Sequence, residues 1–454
     1  MKIIINNHNF SCAEGVTPQL RNYLSYQEKI FNQRSKRWNI KQISVIDPKG
    51  MFLTGVAFDV QQMFNATIED QRTWPSIPLQ DPELTVTCRD YQINYIIQAL
   101  QAKRALIKAP TGSGKTIIMA ALLSIFDCPS IILVPNKTIL VQLQTELGKL
   151  IPNYEIAEAR ESPKKGLIGL ARTLSNIPTQ ELQQRPLLIM DEAHGSAADQ
   201  ATDVILRSCA PYRYGFTATP TGRSDNKDLI VAGLFGPVID MVHTEDLVQQ
   251  GYRPNVQIEL HHSNWDGNYA ALEDNLIVRN EQRNAQILKI AKDFLHNRKT
   301  GALLILVRRT EHGKYLNDNL EGSVFIDGKT TTEAREHCRK QVSIGVLRAL
   351  IASQVFAQGL DIPQLELGIN AGGGKAEILT TQRAGRMMRP WQGLAKRWVD
   401  FVDGWHPTLD RHTKERYRIY RDSGNIKFVG VSDTKRIQLE QDALSSEMLQ
   451  TPIN

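Results

Sequence analysis

What is scarce in the sequence narrows the possibilities first. There are five cysteines in 454 residues (Cys12, Cys88, Cys128, Cys209 and Cys338), odd in number, widely spaced and without any Cys-x-x-Cys pair. Neither a disulfide framework nor a zinc site is indicated, and a reducing cytoplasm is the expected compartment. No apolar run approaches the roughly 20 residues that cross a bilayer. The segment Met1–Phe10, an apolar triplet followed by Asn-Asn-His-Asn, has no secretory pattern, so export and membrane insertion are not expected. Histidines such as His261 and His262 lack metal-ligand spacing, which favours solvated or core roles. Short-period repeats and low-complexity segments are missing as well, which argues against a solenoid or a disordered scaffold.

What remains is a chain 41% apolar and 22% charged, long enough for roughly two to four globular units. Its net charge of +6 is modest but uneven: Arg383–Arg436 holds 13 Lys/Arg against 6 Asp/Glu, and Leu20–Gly50 holds 7 against 2. Local excesses of this kind suit a phosphate backbone, which rewards scattered cations through counterion release, although solvated faces would look the same.

Residues 1 to about 68 mix short apolar runs with aromatic and basic residues, and end in the polar stretch Ile68–Glu83 with Pro75, Pro78 and Pro82, which reads as a linker. From Thr85 to about His243, apolar runs at Ala105–Lys108, Ile131–Val134, Leu187–Met190 and Tyr214–Thr217 alternate with helical patterns. A second series follows at Ala302–Val307, Val324–Ile326, Leu347–Ser353, Leu365–Ile369 and Trp398–Val402. Alternation of this kind predicts parallel sheets wrapped by right-handed crossovers. The expected α/β organisation is a small N-terminal α+β accessory domain (1–84), a first lobe (85–250), and a second lobe with a basic C-terminal segment (251–454), the lobes joining near Gly251–Asn255.

Three segments carry chemistry. Ala109-Pro110-Thr111-Gly112-Ser113-Gly114-Lys115-Thr116 follows a predicted strand and opens the apolar helix Ile117–Ile125. Glycines turn backbone N–H groups inward around phosphates and the helix N-terminus adds positive potential. Lys115 would reach the β and γ oxygens, and the Thr116 hydroxyl can ligate Mg²⁺. Ala109 stands where the general phosphate-loop pattern has its first glycine. Asp191-Glu192-Ala193-His194 directly follows Leu187–Met190, at the carboxyl end where α/β sheets place ligands. Asp191 is suited to hold Mg²⁺ and Glu192 to polarise an attacking water. In Gln382-Arg-Ala-Gly-Arg386-Met-Met-Arg389 the last two arginines fall on one face if the segment is helical. They are candidates for arginine fingers stabilising transition-state charge, the competing reading being a basic helix that binds nucleic acid.

In this order the motifs resemble those of superfamily 2 helicases, across about residues 85 to 405. The resemblance implies two tandem RecA-like lobes, ATP with Mg²⁺, and DNA as partner. It assigns Arg89 and Gln92, of Arg89-Asp-Tyr-Gln92, to adenine reading, and Pro135, Asn136, Arg172 and Thr173 to nucleic-acid backbone contact. In Phe216-Thr217-Ala-Thr219-Pro220, Thr217 and Thr219 would link hydrolysis to DNA contact through His194. Gly359 and Asp361 would lie near the nucleotide, Ser353 near the strand, and Gln382, Arg386 and Arg389 would complete the catalytic set. The aromatic and basic block Leu20–Phe58, with the basic C-terminal segment, is similar to the UvsW-type branch-migration helicases of tailed phages. That likeness implies unwinding or branch migration of forks, junctions or duplex by a monomer on DNA, in the host cytoplasm if phage-encoded. An RNA helicase of DEAH type and a non-motor DNA-binding factor switched by ATP remain as rivals. Trp391, Trp398 and Trp405 recur every seven residues, but Trp398 falls in a predicted strand, which favours core packing over base stacking. Ala371-Gly-Gly-Gly-Lys375 lacks the Ser or Thr of a second phosphate loop and reads as a strand-to-helix turn.

Overall fold

The computed structural model describes residues 1–32, 37–110, 112–159, 165–218, 226–242, 246–247, 250, 252, 256–263, 273–353, 364–373, 396–421 and 425–448. The chain divides into two units, Met1–Val242 and His243–Asn454.

In the first unit, apolar runs with little polar interruption become parallel strands, the inner ones buried on both faces and the two edge strands only partly. These are β7 (Arg104–Lys108), β8 (Ser130–Val134), β9 (Ile156–Glu158), β10 (Gly166–Leu170), β11 (Leu187–Asp191), β12 (Tyr212–Thr217) and β13 (Val238–Asp240), in the order β13-β7-β12-β11-β8-β10-β9. Helix α3 (Asp90–Ala102) leads into this sheet, and the crossovers that parallel strands need are supplied by helices, among them α4 (Lys115–Phe126), α5 (Lys137–Leu150), α6 (Ala171–Leu174), α7 (Thr179–Gln183), α8 (Asp199–Ser208) and α9 (Asp228–Phe235). Helix α4 is apolar nearly all round and Ile118 to Phe126 are all buried, as a helix packed on every side must be.

Ahead of this lobe lies the small α+β domain. Strands β1 (Lys2–Ile5), β2 (Phe10–Glu14), β5 (Met51–Leu53) and β6 (Thr67–Asp70) form a sheet in the order β5-β2-β1-β6. Helices α1 (Pro18–Tyr23) and α2 (Ala57–Phe64) flank it, and β3 (Ser25–Asn32) and β4 (Arg37–Ser44) pair antiparallel as a separate two-stranded ribbon. This domain and the lobe share a seam. Leu229 and Ala232 of α9 pack into the small domain's core while Val231, Leu234 and Phe235 of the same helix belong to the lobe's core. The backbones meet so closely that a Cβ on Gly55 would lie 2.2 Å from the Ala232 carbonyl oxygen. The Arg104 guanidinium donates to His8 O and Leu234 O, each at 2.6 Å, and that of Arg213 donates to Asn9 Oδ1.

The proline-bearing stretch expected to act as a linker is instead held along the lobe. Trp74 packs on His8 and Tyr212, with Lys103 Nζ 4.4 Å above its ring. Gln80 N donates to Ile125 O (3.1 Å) and Glu83 N to Ser124 Oγ (2.8 Å). Proline keeps the segment extended, and cation–π and backbone hydrogen bonds then tie it down.

The second unit repeats the parallel plan with β14 (Val256–His262), β15 (Ala302–Val307), β16 (Ser323–Ile326), β17 (Ala349–Ser353), β18 (Leu365–Asn370), β19 (Lys396–Val402) and β20 (Ile426–Val429), ordered β16-β17-β15-β18-β19-β14-β20. Trp398 is fully buried and donates its indole N–H to Tyr420 Oη (2.9 Å), so it is a core residue. Both lobes are RecA-like in plan: a mostly buried parallel sheet between helices. Among the described residues no helix is long and apolar enough to cross a membrane.

Candidate nucleotide site

The carboxyl ends of β7 and β11, next to each other but for β12, carry the phosphate loop and the acidic pair. After β7 the chain turns through Gly112 (φ +84°) and Gly114 (φ +80°), left-handed conformations that favour glycine, and Gly114 caps α4. A side chain at Gly114 would also collide with Gln92, whose Nε2 lies 2.3 Å from where its Cβ would be. Lys115 Nζ rests 3.5 Å from Ala109 O. The Ser113 hydroxyl is fully buried and has no hydrogen-bond partner among the described residues. An unsatisfied buried hydroxyl at the start of a helix, among backbone donors, fits an anion that belongs there.

Residues Arg89 to Gln92 buttress the loop. Gln92 Oε1 accepts from Arg89 N and its Nε2 donates to Ser113 O, both at 2.9 Å; Tyr91 Oη donates to the same carbonyl at 2.9 Å. Gln92 is 0% exposed, so its remaining amide hydrogen and oxygen lone pair do not meet solvent in this conformation. Tyr91 was not singled out from the sequence, although it stands inside the Arg89–Gln92 motif.

Asp191 ends β11, and Glu192 follows in a left-handed conformation (φ +51°), uncommon for a side chain of its kind and worth a functional reading. Glu192 N donates to Asp191 Oδ1 (3.0 Å). Burial first, and then the neighbouring Glu192 charge, push the Asp191 carboxyl up to about 6, against the pull of Lys115. Two crowded, half-buried acids fit a divalent cation that relieves them, and with the Thr116 hydroxyl they make an oxygen donor set suited to Mg²⁺.

His194 continues the chain of contacts. Its Nδ1 lies 3.3 Å from Glu192 Oε2 and 3.3 Å from Thr217 Oγ1, at the end of β12. The acid pair is thereby linked to the strand whose continuation holds Thr219, a residue outside the described ones. Thr111, Gly359, Asp361, Gln382, Arg386 and Arg389 also lie outside them.

Of the remaining sequence candidates, Pro110 is half-buried and Pro135 exposed. Asn136 caps α5, its side chain accepting from Ile139 N at 3.0 Å. Arg172 is exposed and Thr173 half-buried on the short helix Ala171–Leu174. Ser353, at the end of β17, is buried, and its hydroxyl has no hydrogen-bond partner among the described residues. Glu146 of α5, absent from any motif, reaches Thr116 Oγ1 with Oε2 at 3.3 Å.

Residues 85–222 match the family described as type III restriction enzyme, res subunit, and residues 286–390 match the helicase conserved C-terminal domain. The DNA 3'-5' translocase XPB2 of Sulfurisphaera tokodaii is 26% identical over 69% of this chain and 81% of its own length. The ATP-dependent DNA helicase uvsW of Enterobacteria phage T4 is 21% identical over 92% of this chain and 94% of its own. Among solved structures, a fragment of a putative HsdR subunit of a type I restriction enzyme from Vibrio vulnificus has the same fold. Its TM-score is 0.57 at 15% identity, covering 85% of this chain and 76% of that one.

Proposed function

We propose that this chain, a superfamily 2 helicase resembling UvsW, is a DNA-dependent ATPase that unwinds or branch-migrates forked and junction DNA. The observation that carries the ATPase reading is the convergence of a phosphate loop with an unsatisfied buried hydroxyl and a crowded acid pair, joined through His194 to the next strand.

In this reading Lys115 and the α4 N-terminus bind the triphosphate, and Asp191 and Thr116 would hold Mg²⁺, which when bound would supply positive charge to the phosphates. Glu192 accepts a proton from the attacking water, and His194 holds its carboxylate in place. The family resemblance assigns transition-state charge to Arg386 and Arg389 with Gln382, and nucleotide contact to Gly359 and Asp361. Arg89 and Gln92 set the phosphate loop against the base side. Pro135, Asn136, Arg172, Thr173, Thr219 and Ser353 border the nucleic acid. The DNA specificity rests on the named relatives, a 3'-5' translocase and a DNA helicase, and the accessory domain is assigned to substrate recognition on its cation excess.

The test compares ATP turnover with DNA and with RNA, then unwinding of forks, four-way junctions and plain duplex. DNA-stimulated turnover with preference for branched substrates is expected. Stimulation by RNA alone would point to the RNA-helicase rival, and binding without stimulated turnover to a non-motor switch. In the same assay Arg386→Ala or Arg389→Ala should depress turnover with little loss of ATP affinity, because such groups act mainly in the transition state.

A further inference from the structure

We infer that Glu146 is a positioning residue for the magnesium site, acting through the hydroxyl of Thr116. The inference rests on the nucleotide-site reading and adds to it a carboxylate outside every recognised motif. Helices α4 and α5 lie side by side, and this brings Glu146, on the third turn of α5, to the first turn of α4.

A threonine hydroxyl has one hydrogen and two lone pairs, and a carboxylate can only accept. At 3.3 Å the Thr116 hydrogen is therefore directed to Glu146 Oε2, and among the described residues that hydroxyl has no other hydrogen bond. With its hydrogen committed to α5, the lone pairs are free to face a cation. Were the hydrogen unclaimed, it could rotate into the cation's position and oppose binding. The carboxylate is itself oriented, because Gln142 Nε2, one turn earlier on α5, donates to its other oxygen Oε1 at 3.0 Å. Gln142, Glu146 and Thr116 thus form a relay of the kind that sets the direction of a ligand without touching the metal, and loss of such a partner commonly weakens metal binding about 10- to 100-fold.

The experiment uses the full chain and a fluorescent ADP analogue, titrated with Mg²⁺ and, separately, in EDTA. Glu146→Ala should raise the Mg²⁺ concentration for half-saturation about tenfold and leave affinity in EDTA unchanged. Glu146→Gln keeps a carbonyl acceptor at the same reach and should recover most of the loss. In a Thr116→Ala background, Glu146→Ala should add no further shift. An unchanged Mg²⁺ requirement overturns the inference. So does a Glu146→Gln variant as impaired as Glu146→Ala, or an equal shift without the Thr116 hydroxyl, since either result makes the effect one of charge alone. Should Glu146→Ala not fold, Glu146→Met, closer in volume, replaces it. Failure of the wild-type chain to bind the nucleotide at all would instead overturn the underlying site reading, and is seen before any variant is made.

Discussion

Asp191 in the first unit and Asp400 in the second are both aspartates on inner strands of parallel sheets, the first half-buried and the second fully buried, and their surroundings are opposite. Asp400 is fully buried and fully engaged: its Oδ2 accepts from Arg416 Nε (2.8 Å), Tyr420 Oη (2.6 Å) and Asn370 Nδ2 (3.0 Å), and its Oδ1 from Phe401 N (2.7 Å). Nearby, Asp403 takes the Arg283 guanidinium (3.1 Å) and the Ser263 hydroxyl (2.5 Å). Asp191, by contrast, has one described hydrogen bond, from Glu192 N, and an acid for a neighbour. A buried carboxylate supplied with cations and donors is structural. A half-buried one crowded by another acid fits a site that takes a ligand.

The sharpest way to break the comparison is to neutralise one member of each cluster. Glu192→Gln should lower ATP turnover by about 10²- to 10⁴-fold, the usual contribution of a positioned base, because an amide cannot take the water's proton. Its thermal unfolding should match the wild type. Full turnover in this variant would remove Glu192 from the mechanism, and loss of nucleotide binding would make it a metal ligand or a structural group.

Asp400→Ala should do the reverse. Removing its nearer carboxylate leaves Arg416 only the longer contact to Asp403 (3.8 Å), at a cost of about 3 kcal/mol. Hydrogen exchange of the β19 amides should report the loss, while Mg²⁺-nucleotide affinity stays as it was. If β19 protection were unchanged, the Asp400 cluster would not be a structural counterpart to Asp191.

The same contrast explains what the sequence made legible. Strand β15 has the bounds its apolar run indicates because a parallel strand buried on both faces needs such a run. The phosphate loop and acid pair were legible because their residue types and order are dictated by phosphate and cation chemistry. Strand β14 was not, since Glu259 and His261 interrupt its apolar pattern. In the fold they pair with each other, and Arg397 binds Glu259 as well, so that His261 first and then Arg397 hold the Glu259 carboxyl down to about 2. Strand β10 is broken up by glycine, and β9, β13 and β20 are three or four residues long. Helix α9 serves two cores, and the Trp74 strap is held by residues far along the chain. Glu146 escaped notice for the same reason, because its partner is thirty positions away.

A smaller effect separates the two aspartates by pH. The folded-state pKa of Asp191 is raised, so its protonated form favours the fold. That contribution is fully present below the ordinary aspartate value of 3.8 and is lost as pH rises through about 6. In metal-free protein the first unit should therefore weaken across this window, by on the order of 3 kcal/mol from this group. Asp191→Asn, which cannot ionise, should gain stability relative to wild type over the same range, measured by hydrogen exchange of the β11 amides. A pH-independent difference between the two proteins would mean that Asp191 is not under the strain inferred for it.

The smallest expected effect concerns Asn136, where structural and functional roles meet in one side chain. The family resemblance points this residue at a nucleic-acid backbone, yet its Oδ1 accepts from Ile139 N and caps α5. A helix leaves its first N–H groups unpaired, and an Asn, Asp or Ser side chain at the cap satisfies one of them. Asn136→Ala removes that acceptor and should cost about 1 kcal/mol, while Asn136→Ser and Asn136→Asp keep it. Stability alone then ranks Ser and Asp with the wild type and Ala below. Nucleic-acid affinity ranks them differently if the amide also meets a phosphate: Asp adds a negative charge and should bind more weakly than Ser, with a difference that shrinks as salt rises. A cap that does nothing else predicts equal affinity for Ser and Asp at every salt concentration. Parallel urea unfolding and DNA binding on the three variants therefore tell whether Asn136 belongs with Asp400, as structure, or with Asp191, as part of the machine.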